Sequence, residues 1–458
     1  MPMVKKVLVA NRGEIALRII RACRELGIQS VAVHSDVDAH ALHVRFADEA
    51  ICIGPADPTH SYLKIPSIIA AAEVTGADAI HPGYGFLAEN AEFAEICEQC
   101  GLNFIGPKPR HMRAWGSKVE ARELADSLGL PLMKGSGVLA TVDDALAAAD
   151  KVGYPVMLKA SAGGGGRGMK VLRGADELRR AFPQAKREAE MSFKNGDLYC
   201  ERYVETPRHI EFQVLCDGRE NVWVLGEREC SIQRRHQKLI EEAPSAVISS
   251  EKRQAMVALI RTAMLETGYV SAGTLEFLLD EKGDLYFMEM NTRIQVEHPV
   301  TELVMGVDIV AEQLRIAAGE TVHIPNCALE PRGHALECRI NAECPDTDVP
   351  WPGLITAYHP PGGAGVRIDE GIYAGWRVPK VYDSLLLKLI TYGKDRPEAV
   401  NRMRRALGEL VIEGIRTNAA LHRRIMLDPD FIAAELSTRF MENLRAELKA
   451  SGERLHVA

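Results

Sequence analysis

The sequence predicts an α/β protein in three units: an N-terminal open parallel sheet, a middle unit with a mobile glycine-rich lid, and a C-terminal α+β unit. Three observations carry that reading. A strand–helix–strand pattern opens the chain. A lysine-bearing strand runs into four consecutive glycines and returns as a second strand. A later hairpin lines up carboxylates on one face. At 458 residues one core is not expected, and two to four subdomains are. We place the units at 1–114, 115–330 (lid about 131–203) and 331–447, with a tail at 448–458.

Composition narrows the function classes. A hydrophobic content of 47% and a charged content of 26% are ordinary for a globular chain. The net charge of −8 argues against a nucleic-acid binder working through bulk charge. No apolar run approaches the ~18 residues that cross a bilayer, and the first apolar segment is too short for a signal peptide. A cytoplasmic chain is expected. Ten scattered cysteines suggest reduced thiols. Cys97 and Cys100 fall on an amphipathic helical pattern with no second such pair, so core packing is expected of them.

In chain order, residues 5–10 read as a buried strand, 15–26 as a helix stopped by Gly27, and 30–34 as the next strand. The first turn lacks G-x-G-x-x-G, which weakens a nicotinamide oxidoreductase reading. His81-Pro-Gly-Tyr84-Gly-Phe sits at a strand end, where open α/β sheets place ligands. Lys118 opens a helical stretch. The strand ending in Lys159 meets Gly163–Gly166, Arg167 and Gly168 before a second strand at 169–172. Consecutive glycines let backbone N–H groups approach an anion, and their place inside a short hairpin favours a phosphate-covering lid over a linker. His209, Glu211 and Gln213 alternate onto one face. Residues 227–238 are densely polar, better matched to a triphosphate and its metals than to nucleic acid.

The hairpin is the most informative stretch. Residues 273–279 and 285–289 read as strands around a tight turn, and centring it on Lys282-Gly283 sets Glu276 opposite Glu289. Two ionised carboxylates about 5 Å apart repel by about 3 kcal/mol at an effective dielectric near 20. A cation between them relieves this, and with the Asn291 carbonyl they form an all-oxygen set suited to Mg²⁺ or Mn²⁺. Continued as an extended strand to residue 297, the segment would present Glu289, Asn291, Arg293, Gln295 and Glu297 on one side.

Taken with 10–15, 81–87, the glycine lid and 234–238, the run Glu289-Met-Asn-Thr-Arg-Ile-Gln-Val-Glu-His298 resembles the ATP-grasp ligases, and among them the biotin carboxylases, over nearly the whole chain. The resemblance implies that ATP phosphorylates bicarbonate to carboxyphosphate, whose CO₂ adds to biotin on a carrier protein, as in acetyl-CoA carboxylase; the alternatives are a propionyl-CoA, methylcrotonyl-CoA or pyruvate carboxylase subunit and, behind them, a different ATP-grasp ligase. It implies that Glu276, Glu289 and Asn291 hold Mg²⁺. Lys118, Lys159, His236 and the lid glycines, Gly165 and Gly166 among them, would contact phosphates. Glu201, Arg202 and Val204 would line the adenine pocket, His209 and Gln233 would meet the ribose, and Lys238 would steady the transferring phosphoryl group. Arg293, Gln295 and the Val296 backbone would hold bicarbonate, with Glu297 as base. Arg339 would stabilise the biotin enolate, with Tyr84 nearby. Two departures stand out: Ala162 replaces the first of five glycines, as in propionyl- and methylcrotonyl-type enzymes, and Arg202 replaces a common lysine. No Ala-Met-Lys-Met motif occurs, so carrier and carboxyltransferase are expected as separate chains. A homodimer is expected by analogy.

Overall fold

The computed structural model describes residues 4–161, 169–193, 195–322, 324 and 330–455; the side chains of Lys118 and Phe193 also lie outside the description. The chain opens as expected. Strands β1 (Lys6–Val9), β2 (Gln29–Ser35), β3 (Glu49–Gly54), β4 (Ala79–His81) and β5 (Asn103–Phe104) form a parallel sheet ordered β3-β2-β1-β4-β5. Helix Gly13–Glu25 crosses between the first two strands, burying Ile15, Leu17 and Ile19. The order reverses between β1 and β4, the point where such sheets open a crevice. There the Asn11 amide donates to the carbonyls of Pro82 and Tyr84, both at 2.7 Å. Gly83, at φ +62°, leaves no room for a Cβ, which would lie 3.0 Å from that amide nitrogen.

The lid carries β6 (Val156–Ala160), β7 (Met169–Leu172) and β8 (Leu198–Arg202), an antiparallel sheet with β6 in the centre. Helices Val142–Val152 and Ala175–Phe193 pack on it, and Leu158, Leu178, Phe182 and Leu198 make a core of its own.

The central sheet brings together distant strands: β9 (Arg208–Asp217), β10 (Val222–Arg234), β11 (Gln237–Ala243), β12 (Val270–Leu279), β13 (Leu285–Asn291), β14 (His334–Asn341), β16 (Val366–Glu370) and β17 (Leu385–Gly393). Their order is β13-β12-β9-β10-β11-β14-β17-β16. The sheet therefore runs unbroken across residue 330, because β11 pairs with β14. A small ribbon of β15 (Ala357–His359) and β18 (Val411–Glu413) lies apart. One face of the C-terminal half packs Leu336, Cys338 and Leu389 against Val400, Met403 and Leu407 of helix Arg396–Glu409. The other packs Ala243, Ala335 and Ile390 under Val300 and Val304 of helix His298–Met305. No described helix is long and apolar enough to cross a membrane. Cys97 is buried in the N-terminal core as expected, whereas Cys100, of which core packing was also expected, is exposed just past the helix end.

Two expectations need correction. The strand expected to continue to residue 297 ends at Asn291. Its pairing with β12 stops at Thr274, and Pro299 lies in the first turn of a helix whose N-cap is Glu297, at φ −82° and ψ 10°. Arg293 to Glu297 therefore leave the strand as a bent segment. Glu276 does face Glu289, but through a different register: the turn centres on Lys282, one half-step earlier than expected, and an extra residue, Met288, bulges out between Phe287 and Glu289. Asp280 fixes this turn by accepting from the backbone N–H groups of Lys282 and Asp284, both at 2.9 Å.

Candidate active site

The site lies on the central sheet where β9 to β14 meet the bent segment 292–297. Alternation on β9 buries His209, Glu211 and Gln213, and the cross-strand register places Glu211 beside Glu276 of β12. The hairpin of β10 and β11 turns on Arg235 and His236 at φ +50° and +66°, the two positive angles a two-residue turn requires. That strained turn carries His236 outward and delivers Lys238 inward.

Lys238 is the hub. Its Nζ donates to Glu297 Oε1 (2.6 Å), to Glu276 Oε1 (3.1 Å) and to Glu211. Burial opposes its charge, but the three carboxylates outweigh that and hold its pKa well above the ordinary lysine range. Arg339 completes the ring, donating through Nη2 to Glu297 Oε2 (2.9 Å) and through Nε to Glu241 (2.6 Å). Burial likewise opposes ionisation of Glu297, and Lys238, Arg339 and Arg228 overcome it, keeping the carboxylate ionised far below its usual range. Glu276 is lowered too, its burial outweighed by Lys238 and His209.

Asn291 donates its amide to Glu276 (2.8 Å) and accepts from Arg293 Nη2 (3.0 Å). Glu276 and Glu289 are cross-strand partners with Asn291 at the same end of the hairpin, while the carboxylates and imidazole close enough together to share one cation are His209, Glu211 and Glu276. His209 Nε2 lies 2.9 Å from Glu276, with Gln233 at 3.4 Å on the other ring nitrogen. On the lid, Glu201 is held by Lys159 at 2.5 Å and by Arg122, while Arg202 reaches Asp280 at 3.3 Å and Val204 is buried.

The remaining expected residues are placed less directly. Arg293 is drawn to Glu89 (2.9 Å), and Gln295 is fixed between Glu276 (2.7 Å) and Arg228 (2.9 Å). The Val296 carbonyl accepts from buried Lys388 at 2.9 Å. Tyr84 donates its hydroxyl to Glu14, which also pairs with Lys388 at 3.1 Å. The phosphate contacts expected of Gly165, Gly166 and the Lys118 side chain fall outside the described residues.

Sequence reasoning missed the scaffold beneath these groups. Arg228, with no exposed surface, donates to Glu211 (2.5 Å), Gln213 (2.9 Å), Thr301 (2.9 Å), Thr274 (3.2 Å) and Gln295. Its one sequence signal was a charged residue inside an otherwise strand-like stretch. Lys388, Arg122 and Glu241 had no comparable signal.

A separate three-stranded lid beside a sheet that gathers Glu211, Glu276 and Glu297 around Lys238 points to an ATP-dependent ligase of the ATP-grasp class. Three family models cover almost all of the chain: the biotin carboxylase N-terminal domain matches residues 3–112, the ATP-binding domain of the carbamoyl-phosphate synthase L chain 117–324, and the biotin carboxylase C-terminal domain 337–443. The biotin carboxylase of Nostoc sp. is 54% identical over 96% of this chain and 99% of its own length. A pyruvate carboxylase subunit of Methanothermobacter thermautotrophicus is 51% identical over 98% and 91%. Among solved structures, a biotin carboxylase–ATP complex from Campylobacter jejuni superposes with a TM-score of 0.90 at 45% identity, covering 96% of this chain and 99% of that one. The biotin carboxylase domain of a thermophilic 2-oxoglutarate carboxylase bound to bicarbonate gives 0.93 at 48%, covering 96% and 98%. The chain belongs to the biotin carboxylase family.

Proposed function

We propose that this chain carboxylates biotin on a separate carrier protein, using ATP, Mg²⁺ (or Mn²⁺) and bicarbonate, with a separate carboxyltransferase completing the cycle. The observation that carries this is Glu297, gripped by Lys238 and Arg339 at the N-terminus of helix His298–Met305. Glu276, Glu289 and Asn291 fit the metal, which would neutralise charge between the ATP phosphates. Lys159, His236, Lys118 and the lid glycines Gly165 and Gly166 would bind phosphates. Glu201, Arg202 and Val204 would face the adenine, and His209 with Gln233 the ribose. Lys238 steadies the phosphoryl group in flight. Arg293, Gln295 and the Val296 backbone receive bicarbonate, whose proton passes to Glu297. Arg339, with Tyr84 behind it, faces the biotin enolate.

In the free site Glu297 is too well paired to act as a base, since two cations hold its proton affinity down. Binding of the phosphoryl group to Lys238 and of the enolate to Arg339 would draw both cations away and raise that affinity when it is needed. Arg293 must likewise leave Glu89, an exposed and easily replaced partner.

We assign the chain to acetyl-CoA carboxylase and fatty-acid synthesis, supported by its 54% identity to free-standing biotin carboxylases. A pyruvate-type complex is the second reading, favoured by the 51% identity to a pyruvate carboxylase subunit. A cytoplasmic homodimer fits both; the Hydrogenobacter thermophilus 2-oxoglutarate carboxylase domain, 50% identical, is a dimer with MgADP and bicarbonate. Bicarbonate-dependent ATP cleavage that free biotin stimulates is the expected assay result, and no stimulation at high biotin would overturn the reading. The carboxyltransferase that copurifies decides between the two complexes.

A further inference from the structure

The carboxyls of Glu241 and Glu337 have no part in that chemistry. They are direct partners across β11 and β14, fully buried, on the sheet face beneath helix His298–Met305. Side chains so paired have Cβ atoms about 4.5–5.5 Å apart. Glu241 Oε1 accepts from Arg339, but among the described residues its Oε2 has no hydrogen-bond partner, and neither oxygen of Glu337 has one. A buried carboxylate without donors is costly when ionised.

The charges around the pair do not balance. Lys238 from β11, Arg339 from β14, Lys388 from β17, Arg228 from β10, Arg367 and Asp369 from β16, Glu297 from the helix start and Glu14 from the N-terminal helix all act on it or on its immediate partners. Tyr84 and, from β10, Cys230 are kept uncharged by burial, and His298 is turned to the Gln295 carbonyl. On the opposite face Glu242 is satisfied by His334 and Arg396. Four carboxylates (Glu14, Glu241, Glu297 and Glu337) thus face Arg339 and Lys388, while Lys238 is already shared with Glu211 and Glu276, Arg228 is bound to Glu211, and Arg367 is matched by Asp369. At least one acid must keep its proton.

We propose that Glu241 and Glu337 form a proton-holding pair that positions Arg339: a neutral Glu337 lets Glu241 stay ionised and grip one side of the guanidinium while Glu297 grips the other. Burial pushes Glu337 well above the usual carboxylate range. It pushes Glu241 up to about 7, with Arg339 opposing the rise. Protonation of Glu241 near neutrality therefore removes one anchor from Arg339. Glu241 and Glu337 are positioning residues, and their role rests on the biotin-carboxylation reading.

The test uses the full chain with Glu241→Gln and Glu337→Gln. A raised folded-state pKa contributes stability that is complete below the ordinary carboxylate value and is lost as pH rises through about 7. The melting temperature of the wild type should therefore fall as pH rises from about 5 to 7, with Glu337 adding a decline that continues above that range. Glu241→Gln should lack the component that ends near pH 7, and Glu337→Gln should keep it. In biotin-stimulated turnover, the wild type should show an acidic limb near neutrality. Glu241→Gln should lose the limb and raise KM for free biotin roughly tenfold, with a smaller change in kcat. A component ending near pH 7 and an acidic limb that survive in Glu241→Gln, or that component abolished in Glu337→Gln, would overturn the pair. A wild type with no biotin-stimulated turnover would instead sink the functional reading, and the melting curves would still decide the pair.

Discussion

At the scale of residues, the site is a chain of shared cations. Glu297 is buried between two positive partners, so replacing its charge should disturb chemistry more than binding. Glu297→Gln is expected to bind Mg·ATP within about threefold of the wild type and to lose at least ~100-fold in bicarbonate-dependent turnover, the size of a general-base contribution. Isothermal titration alongside steady-state kinetics checks both halves. The metal reading has its own residue-scale check. Glu276→Gln and Glu289→Gln should each weaken Mg²⁺ binding by tenfold or more, and unchanged affinity in both would remove the metal from that hairpin. Arg228 supports the whole group. Arg228→Ala leaves Glu211 buried without its principal partner, and urea unfolding should show a loss of about 3–5 kcal/mol.

At the scale of elements, β11 carries the site on one face and a structural lock on the other. Glu242, buried there, accepts from His334 and Arg396, each at 2.7 Å. Burial alone would raise its pKa, but those partners win and lower it to about 2. Because the folded value is depressed, the stability is present above the ordinary carboxylate range near 4.5 and is lost as pH falls through about 2. Acid titration of Glu242→Gln should show a flatter loss of stability over that window, with roughly 3 kcal/mol already missing at neutral pH. The element scale also shows what the sequence could reveal. The Glu276–Glu289 pairing was legible because a hairpin is local and its turn residues announce it. The expected nine-residue strand failed for a reason also present in the sequence, a proline at the second helical position. Lys388 and the contacts of Arg228 to Gln295 and Thr301 were illegible because those partners lie far away along the chain, and no local period encodes such a meeting.

At the scale of the molecule, the middle and C-terminal units expected from the sequence share one eight-stranded sheet, while the N-terminal sheet and the lid sheet are separate. In the N-terminal sheet β1, β2 and β4 were legible, since parallel βαβ units repeat a short-range pattern, whereas β3 and β5 were not. The lid has a core of its own. The C-terminal unit differs: its Lys388 is the cation that Glu14, Asp369 and the Val296 carbonyl all share, so it ties the other units to the site.

The pairing of β11 with β14 has a practical consequence for anyone dissecting this protein. A gene cut near codon 331, where the sequence invites a boundary, would yield a fragment ending in a bare sheet edge. Such a fragment should precipitate or pair with itself when produced alone. Supplied with residues 331–458 in the same cell, it should recover solubility by strand complementation, which co-purification of a singly tagged half would reveal.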